Sequence, residues 1–529
     1  MRKASRAPSL SLYQEGNREV RCAYTVLLMA GYWICECFPL AITSLLPLVL
    51  FPLLGVLGTA ETCSCYMNDT IMVFIGGLIL AVAIEHSKLH LRIALGVMKM
   101  VGCSHGRLLA GLCVVTTFIS MWVSNTAATA MMVPIIFAGL GRVFNKIPYE
   151  STSESIVLVD RRELQPTRVT KAYLMAAAYC STFGGTGTLV GTGTNLTFKG
   201  IYENTFPESG GINFTQWMFA SIPQMIVNTA LTWLYLRIMF MGFLRPGSKD
   251  AELSNIGPEG EAVTNRVVQQ RYSELGNITF HEKGVATLFI ACIFLWIFRK
   301  PGFVRGWSEA ISDMLSIFSS NFFPSLSLSL SVSLFNQLRF TLTEIYEIQR
   351  LPQKASEGLI TWDVIETKMP WSLMFLLGGG FAISKGSIAS CLAKRIGDAL
   401  VPLKHLPPVI ILVFVSFKIL FQPFTRHFSL IPLQCVAMEI HPLYLMVPAT
   451  IMCSYSFRLP VGTPPNAIVT IVGRIPTKWL MIGGCAPAIY SLIVQSIFFV
   501  LWARIFLKLE RKFSFKQATF YVKNFMKNQ

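Results

Sequence analysis

From Leu108 to Gly141 the chain runs 34 residues without a charged side chain, and at its centre it reads Trp122-Val123-Ser124-Asn125-Thr126-Ala127-Ala128-Thr129-Ala130. One straight helix over that stretch would be about 50 Å long, well beyond a hydrocarbon core of roughly 30 Å. The central small and hydroxyl residues divide it into flanks of about 15 residues, each too short to span alone. The lengths therefore predict a helix–turn–helix hairpin over residues 106–141. Irregular backbone at membrane depth is tolerated only beside protein or a polar cavity, because nothing else there satisfies its amides and carbonyls. The turn is the first place to look for a site.

The composition places this hairpin in a membrane protein. Of 529 residues, 53% are hydrophobic and only 14% are charged, and the mean hydropathy is +0.53. Soluble domains carry about 25% charged residues, so a wetted surface for several such domains is missing. The formal charge of +17 does not make the chain a nucleic-acid partner, because that role does not go with this hydropathy. Much of the charge sits in tails: Arg2, Lys3, Arg6, Arg18 and Arg21 at one end, and Arg504, Lys508, Arg511, Lys512, Lys516, Lys523 and Lys527 at the other. The 13 cysteines lie mostly in apolar stretches and read as small hydrophobes, not a disulfide framework. Cys63 and Cys65 lack a second ligand pair at zinc spacing. His86, His90 and His105 lie near segment ends and read as interfacial residues.

Polar interruptions set the organisation. Residues 1–22 are expected to form a cytoplasmic tail, since basic residues beside a first span favour that side. Residues 23–244 form a first membrane repeat, 245–283 a polar inter-repeat loop, 284–507 a second repeat, and 508–529 a basic tail.

The halves echo each other. Met72-Val73-Phe74-Ile75-Gly76-Gly77-Leu78 resembles Met374-Phe375-Leu376-Leu377-Gly378-Gly379-Gly380, and Val190-Gly191-Thr192-Gly193-Thr194-Asn195 resembles Val461-Gly462-Thr463-Pro464-Pro465-Asn466. Cys180-Ser181 and Cys453-Ser454 precede the second pair. Repeats with interrupted helices at matching positions point to a secondary transporter. An unwound turn frees carbonyls that can hold Na⁺ together with Ser, Thr and Asn oxygens, while helix N-termini hold a carboxylate. Alone, Ser124-Asn125-Thr126 would be read as a helix N-cap; mid-membrane and beside two Gly-Thr-x-x-Asn turns, a ligand site is the better reading. The run Gly185-Thr186-Gly187-Thr188-Leu189-Val190-Gly191 lacks the spacing of a dinucleotide fingerprint, and no nucleophile or acid–base constellation supports an enzyme.

Ser124-Asn125-Thr126, the Gly-Gly segments, His441-Pro442-Leu443-Tyr444 and Leu459-Pro460-Val461-Gly462-Thr463-Pro464-Pro465-Asn466-Ala467 resemble the divalent anion/sodium symporters, which include the sodium-coupled di- and tricarboxylate carriers and their insect relatives. The resemblance covers about 23–310 and 355–505. It implies an all-α polytopic membrane protein with eleven transmembrane segments and two re-entrant hairpins in an inverted repeat. It also implies an elevator-type homodimer in the plasma membrane that carries succinate, citrate or similar anions with sodium as the coupling ion and no cofactor. By the same resemblance Ser120, Ser124, Asn125 and Gly193 match a first sodium site, and Asn125 and Thr126 match substrate contacts. Gly462 matches a sodium ligand of the second half, and Thr463 and Pro464 match the turn that approaches the carboxylate. Thr194, also placed at the substrate, stands where the family usually has proline.

One expected element is missing. The repeat places a second Ser-Asn motif near residue 426, inside a hairpin over 408–436, yet the chain reads Gln422-Pro423-Phe424-Thr425-Arg426-His427-Phe428-Ser429. Lys418, Arg426 and His427 put positive charge where a cation cage should form, and one unpaired cation mid-membrane costs roughly 3 kcal/mol on insertion scales. Residues 311–350 are irregular too: Ser325-Leu326-Ser327-Leu328-Ser329-Leu330-Ser331-Val332-Ser333-Leu334 alternates with a strand period. Either the chain has diverged in a way that alters coupling, or translated intron sequence interrupts it; the second is the favoured reading. A sodium-independent carboxylate exchanger, a sulfate carrier and a transport-impaired variant are the alternative functions.

Overall fold

The computed structural model describes residues 8–35, 37–102, 104–144, 167–206, 211–245, 247–248, 251, 257–299, 305–307, 309, 360–369, 371–392, 407–421, 435, 440–458, 463–503, 505 and 507. Among them the secondary structure is helical, with no strand. The stretches at 311–350 and 422–434, with Arg426 and His427, lie outside the described residues, as does Gly462. The side chain of Lys418 is not among those described.

The first half runs α1 (Pro8–Cys35), α2 (Leu40–Thr43), α3 (Leu46–Leu53), α4 (Thr59–Tyr66), α5 (Asp69–His86), α6 (Leu89–Val101), α7 (His105–Ser120), α8 (Asn125–Phe144), α9 (Arg168–Gly185), α10 (Gly193–Thr205) and α11 (Phe214–Phe240). Next come α12 (Gly257–Glu274) and α13 (Phe280–Phe298). The second half continues with α14 (Trp362–Lys368), α15 (Ser372–Ala389), α16 (Pro408–Phe421), α17 (Pro442–Ser454), α18 (Pro464–Val472) and α19 (Thr477–Phe498).

Two helices, Phe280–Phe298 and Thr477–Trp502, are long and apolar enough to cross a membrane unaided, among the described residues. Several others are apolar but short, including His105–Ser120, Asn125–Phe137 and Pro442–Ser454. Short apolar helices are what interrupted segments leave behind.

A break falls at the start of the dividing stretch Trp122–Ala130. Helix α7 stops at Ser120, residues 121–124 are not helical, and α8 starts at Asn125. Both legs lie against α9, whose face from Ala172 to Gly185 is wholly buried. A second interruption separates α9 from α10, and a third separates α17 from α18. The short helix after each turn crosses to the other half: α10 lies on α17, and α18 lies on α8 and α9. The two N-cap residues also share one backbone shape, Thr192 at φ −147°, ψ 146° and Thr463 at φ −144°, ψ 148°. Helices α11 and α19 follow the two turns and each contains an internal proline, Pro223 and Pro487. The sequence repeat is therefore a structural repeat around these turns.

The structure adds detail to three of these expectations. Helix α1 begins at Pro8, so the polar run 1–22 is helical over much of its length and continuous with the first apolar segment. The 245–283 loop contains the helix α12, which lies on α6 and α8. His90 and His105 are buried within the protein, each at most 4% exposed. His90 Nδ1 sits 3.2 Å from the Ile84 carbonyl, and burial lowers its pKa below that of a free imidazole. His105 Nδ1 meets the Tyr173 hydroxyl at 3.0 Å, tying the start of α7 to α9.

The largest feature hidden in the sequence is a buried ion pair. Arg92 Nη2 lies 3.1 Å from a Glu282 carboxylate oxygen, with the side chains 8% and 7% exposed. The guanidinium also donates to the carbonyls of Leu275 at 3.1 Å and Gly276 at 3.0 Å. Glu282 meanwhile accepts the Thr279 amide at 2.9 Å, while the Thr279 hydroxyl accepts the Glu282 amide at 3.2 Å. This capping box starts α13 and gives the carboxylate a fixed position for Arg92. The pair fastens the amphipathic α6 to the entry of α13.

Candidate functional site

The site grows from the break after α7. Ser120, the last residue of that helix, is fully buried, and its Oγ lies 2.9 Å from Asn125 Oδ1 and 2.7 Å from the Ser181 carbonyl. A hydroxyl has one proton, so it can donate to only one of those two oxygens at a time. Three oxygens therefore crowd round a single proton. The Ser124 hydroxyl accepts the Ala127 amide at 3.3 Å and caps α8, so the N-cap reading of that residue holds beside the ligand reading. Thr129, one turn along α8, shares a hydrogen bond with the Ser181 hydroxyl at 2.8 Å.

The turn between α9 and α10 folds onto this break. Thr188 donates to the Met121 carbonyl and accepts the Gly191 amide at 3.0 Å. Asn195 donates from its amide to the carbonyls of Gly185 at 3.1 Å and Thr188 at 2.7 Å, drawing the turn into a closed loop. The approach is possible only because side chains are missing. A Cβ on Gly185 would overlap the Asn125 carboxamide, and one on Gly191 would sit 2.6 Å from the Gly185 carbonyl oxygen.

The third interruption repeats the arrangement. Asn466 donates to the Ser456 carbonyl at 2.7 Å. The two turns then meet: Thr194 and Ser454 share a hydrogen bond at 2.7 Å, and Thr186 and Tyr455 share one at 3.3 Å. Phe183 packs between Tyr455 and Phe457 with ring centroids 5.0 and 4.9 Å away.

Of the residues expected at the site, Ser120, Ser124 and Asn125 gather at the break, and Gly193 and Thr194 begin α10 across the turn. Gly193 has no atom within 4 Å of a built Cβ, so its surroundings are open. Thr126 and Pro464 are exposed at the first turns of α8 and α18. Thr463 caps α18, and its hydroxyl is buried without a hydrogen-bond partner among the described residues. Thr194 does not project freely towards a ligand, because its hydroxyl is engaged by Ser454. Ser181, Thr188, Ser454 and Tyr455 support the site and were not singled out from the sequence. Ser181 and Ser454 were visible only as the Ser of two matched Cys-Ser pairs.

Helix ends bring partial charges to the turns. Helices α8, α10 and α18 begin at the turns, while α7, α9 and α17 end at them. Amide dipoles favour an anion at the first set and a cation at the second.

Residues 15–509 match the family described as the sodium:sulfate symporter transmembrane region. The chain is 40% identical over 513 residues to the Drosophila melanogaster protein I'm not dead yet, covering 93% of this chain and 86% of that protein. It is 32% identical over 553 residues to the Rattus norvegicus Na⁺/dicarboxylate cotransporter 3, covering 93% and 89%. It is 33% identical over 528 residues to the Mus musculus Na⁺/citrate cotransporter, covering 93% and 91%. With a helical fold, paired helix breaks and a match over nearly its whole length, the chain belongs to the divalent anion:sodium symporter family and is a multi-pass membrane transporter, not an enzyme.

Proposed function

We propose that the chain carries di- or tricarboxylates, such as succinate or citrate, in symport with sodium across the plasma membrane. The observation that carries this reading is the Ser120–Asn125–Ser181 cluster, three oxygens within hydrogen-bond reach and one proton among them. With the Asn125 amide oriented as it stands, a cation relieves that crowding better than any rearrangement of the proton. Sodium takes oxygens of this kind at an unwound turn. Ser120, Ser124, Asn125 and the Gly193 carbonyl hold the first ion. Gly462 serves the corresponding turn of the second half.

The carboxylate then lies where the helix starts face one another. Asn125 and Thr126 at the start of α8 and Thr463 with Pro464 at the start of α18 offer amides and hydroxyls, and Thr194 at the start of α10, its hydroxyl held by Ser454, offers its backbone amide. Pro464 has no N–H, so the anion there meets the side of the turn and the Thr463 hydroxyl. The α7–α8 hairpin is re-entrant, the chain has eleven spans with a second hairpin over 408–436, and the protein works as a homodimer by an elevator movement. These rest on the family, and the structural repeat around the turns supports a two-repeat arrangement.

A second reading has an observation of its own. Arg426 and His427 stand where the repeat places a second Ser-Asn motif, and positive charge there disfavours a second cation. This favours a sodium-independent carboxylate exchanger over fully coupled symport. Uptake of labelled succinate and citrate by this chain, in sodium and in choline, separates the readings. Sodium-dependent uptake supports symport; equal uptake in choline supports exchange; inhibition by sulfate alone supports the sulfate carrier. No uptake of either anion in a cell lacking carboxylate carriers leaves a transport-impaired chain.

A further inference from the structure

Behind the two turns lies a polar layer that the ligand site above does not use. Helices α11 and α19 run antiparallel. Phe240 stacks near Trp479, with centroids 6.1 Å apart; Thr232 shares a hydrogen bond with the Tyr490 hydroxyl at 2.6 Å; and Trp502 donates to the Phe219 carbonyl at 2.8 Å. That register puts Asn228 of α11 level with Gln495 of α19. Both carboxamides are buried, at 0% and 1% exposure. All four of their amide atoms lack a geometrically complete hydrogen bond among the described residues. The Tyr455 hydroxyl does interact with Asn228, and it bonds in turn to Thr186.

Gln495, and Asn228 apart from its contact with Tyr455, leave buried amide groups unmet at one level of a helix pair, a desolvation cost that a partner must offset. Such groups in a native protein call for a water or an ion. The charge environment distinguishes these. Helix α9 ends at Gly185 and α17 at Ser454, so their C-terminal carbonyls converge where Thr186 meets Tyr455. Two negative dipole ends facing one polar layer favour a cation and oppose an anion. The side chains named at that level are all neutral oxygen donors, with no carboxylate to call for a divalent ion.

We infer that Asn228, Gln495 and the Tyr455 and Thr186 hydroxyls form a further monovalent cation site, occupied by sodium, beneath the turns and separate from the Ser120–Asn125 cluster. It deepens the symport reading by adding a second ion that does not need the missing Ser-Asn motif. An ion here holds the ends of α9 and α17 together, and so sets the spacing of the turns that receive the anion.

The test uses binding and not transport, so it stands or falls apart from the uptake experiment. The full chain, purified in detergent without any carboxylate, is unfolded by heat in sodium chloride and in choline chloride. A ligand that binds only the folded state raises the midpoint. Asn125→Ala should keep a sodium-specific upward shift, and adding Gln495→Leu to it should abolish that shift. Gln495→Glu, which places a carboxylate in the layer, should enlarge the shift and lower the half-saturating sodium severalfold, even if the leucine variant folds poorly. A purely hydrogen-bonding or hydrated role would not give glutamate a sodium-dependent gain. Loss of the whole sodium shift in Asn125→Ala, or a glutamate variant with no greater sodium response than its parent, would overturn the inference. If Asn125→Ala matches wild type while the Gln495 variants respond as stated, the further site stands and the Asn125 assignment fails.

Discussion

Asn195 and Asn466 hold the same post in two copies of one motif: each sends its side-chain amide to the carbonyl ten residues earlier, Gly185 and Ser456 respectively. Both are buried, and both stand near the start of the helix that follows the turn. At Gly185 the bond covers the last carbonyl of α9, and at Ser456 it covers a turn carbonyl two residues beyond the end of α17. It also explains why a Gly-Thr-x-x-Asn pattern marks both sites in the sequence. The asparagine closes the loop in both copies.

Replacing Asn195 should therefore destabilise the protein even where no ligand is bound. Asn195→Ala strips a donor from two buried carbonyls, at a cost of about 2–4 kcal/mol in all. Asn195→Asp should behave like the alanine variant, since an ionised carboxylate cannot donate. Thermal unfolding of the purified protein checks both, and an aspartate variant as stable as wild type would count against the donor role.

Glycines at the turns differ in kind. A Cβ on Gly185 has no room beside the Asn125 carboxamide, whereas one on Gly193 meets nothing within 4 Å. Gly185→Ala should reduce uptake to background by displacing Asn125. Gly193→Ala keeps its carbonyl and should retain uptake within about twofold, a difference of roughly 0.4 kcal/mol. Equal losses in the two variants would contradict the geometry.

Arg92 and Glu282 should fail singly and recover together. Arg92→Ala leaves a buried carboxylate uncompensated, a loss of about 3–5 kcal/mol. The double replacement Arg92→Met with Glu282→Leu removes the uncompensated charge and should regain most of that loss. Folded yield and unfolding midpoint in detergent measure it, and a double variant no better than Arg92→Ala would refute the coupling.

What the sequence made legible was governed by length and local pattern. The uncharged run from Leu108 to Gly141 was too long for one span, and the break falls at residues 121–124 as that length required. The paired Gly-Thr-x-x-Asn turns were legible because one backbone problem recurs twice. Partners drawn from distant helices were not legible. Ser181 reaches Ser120 and Thr129 because α7 and α8 both lie on α9, and no spacing rule encodes that packing. Nothing local to Arg92 marks it as buried, although Thr279 and Glu282 spell a capping box that could have flagged the buried carboxylate. His105 gave no sign of its Tyr173 partner, which reaches it from α9.

The irregular stretches at 311–350 and 415–436 make a prediction at the level of the message. Translated intron sequence should be replaced, in the mature transcript, by a helical apolar segment and by a second Ser-Asn motif near residue 426. Sequencing the transcript across both stretches checks this. Clean reads identical to the present chain would mean a real divergence, and with it an altered coupling.

The central claim is that the break at Ser124-Asn125 is the ligand site of a sodium-coupled carboxylate carrier. Uptake of labelled succinate and citrate by the wild-type chain and by Asn125→Ala, matched for surface expression, tests it most directly. Sodium-dependent uptake in wild type that falls to background in Asn125→Ala is the predicted result. Sodium-dependent uptake by Asn125→Ala at the wild-type rate would contradict the account.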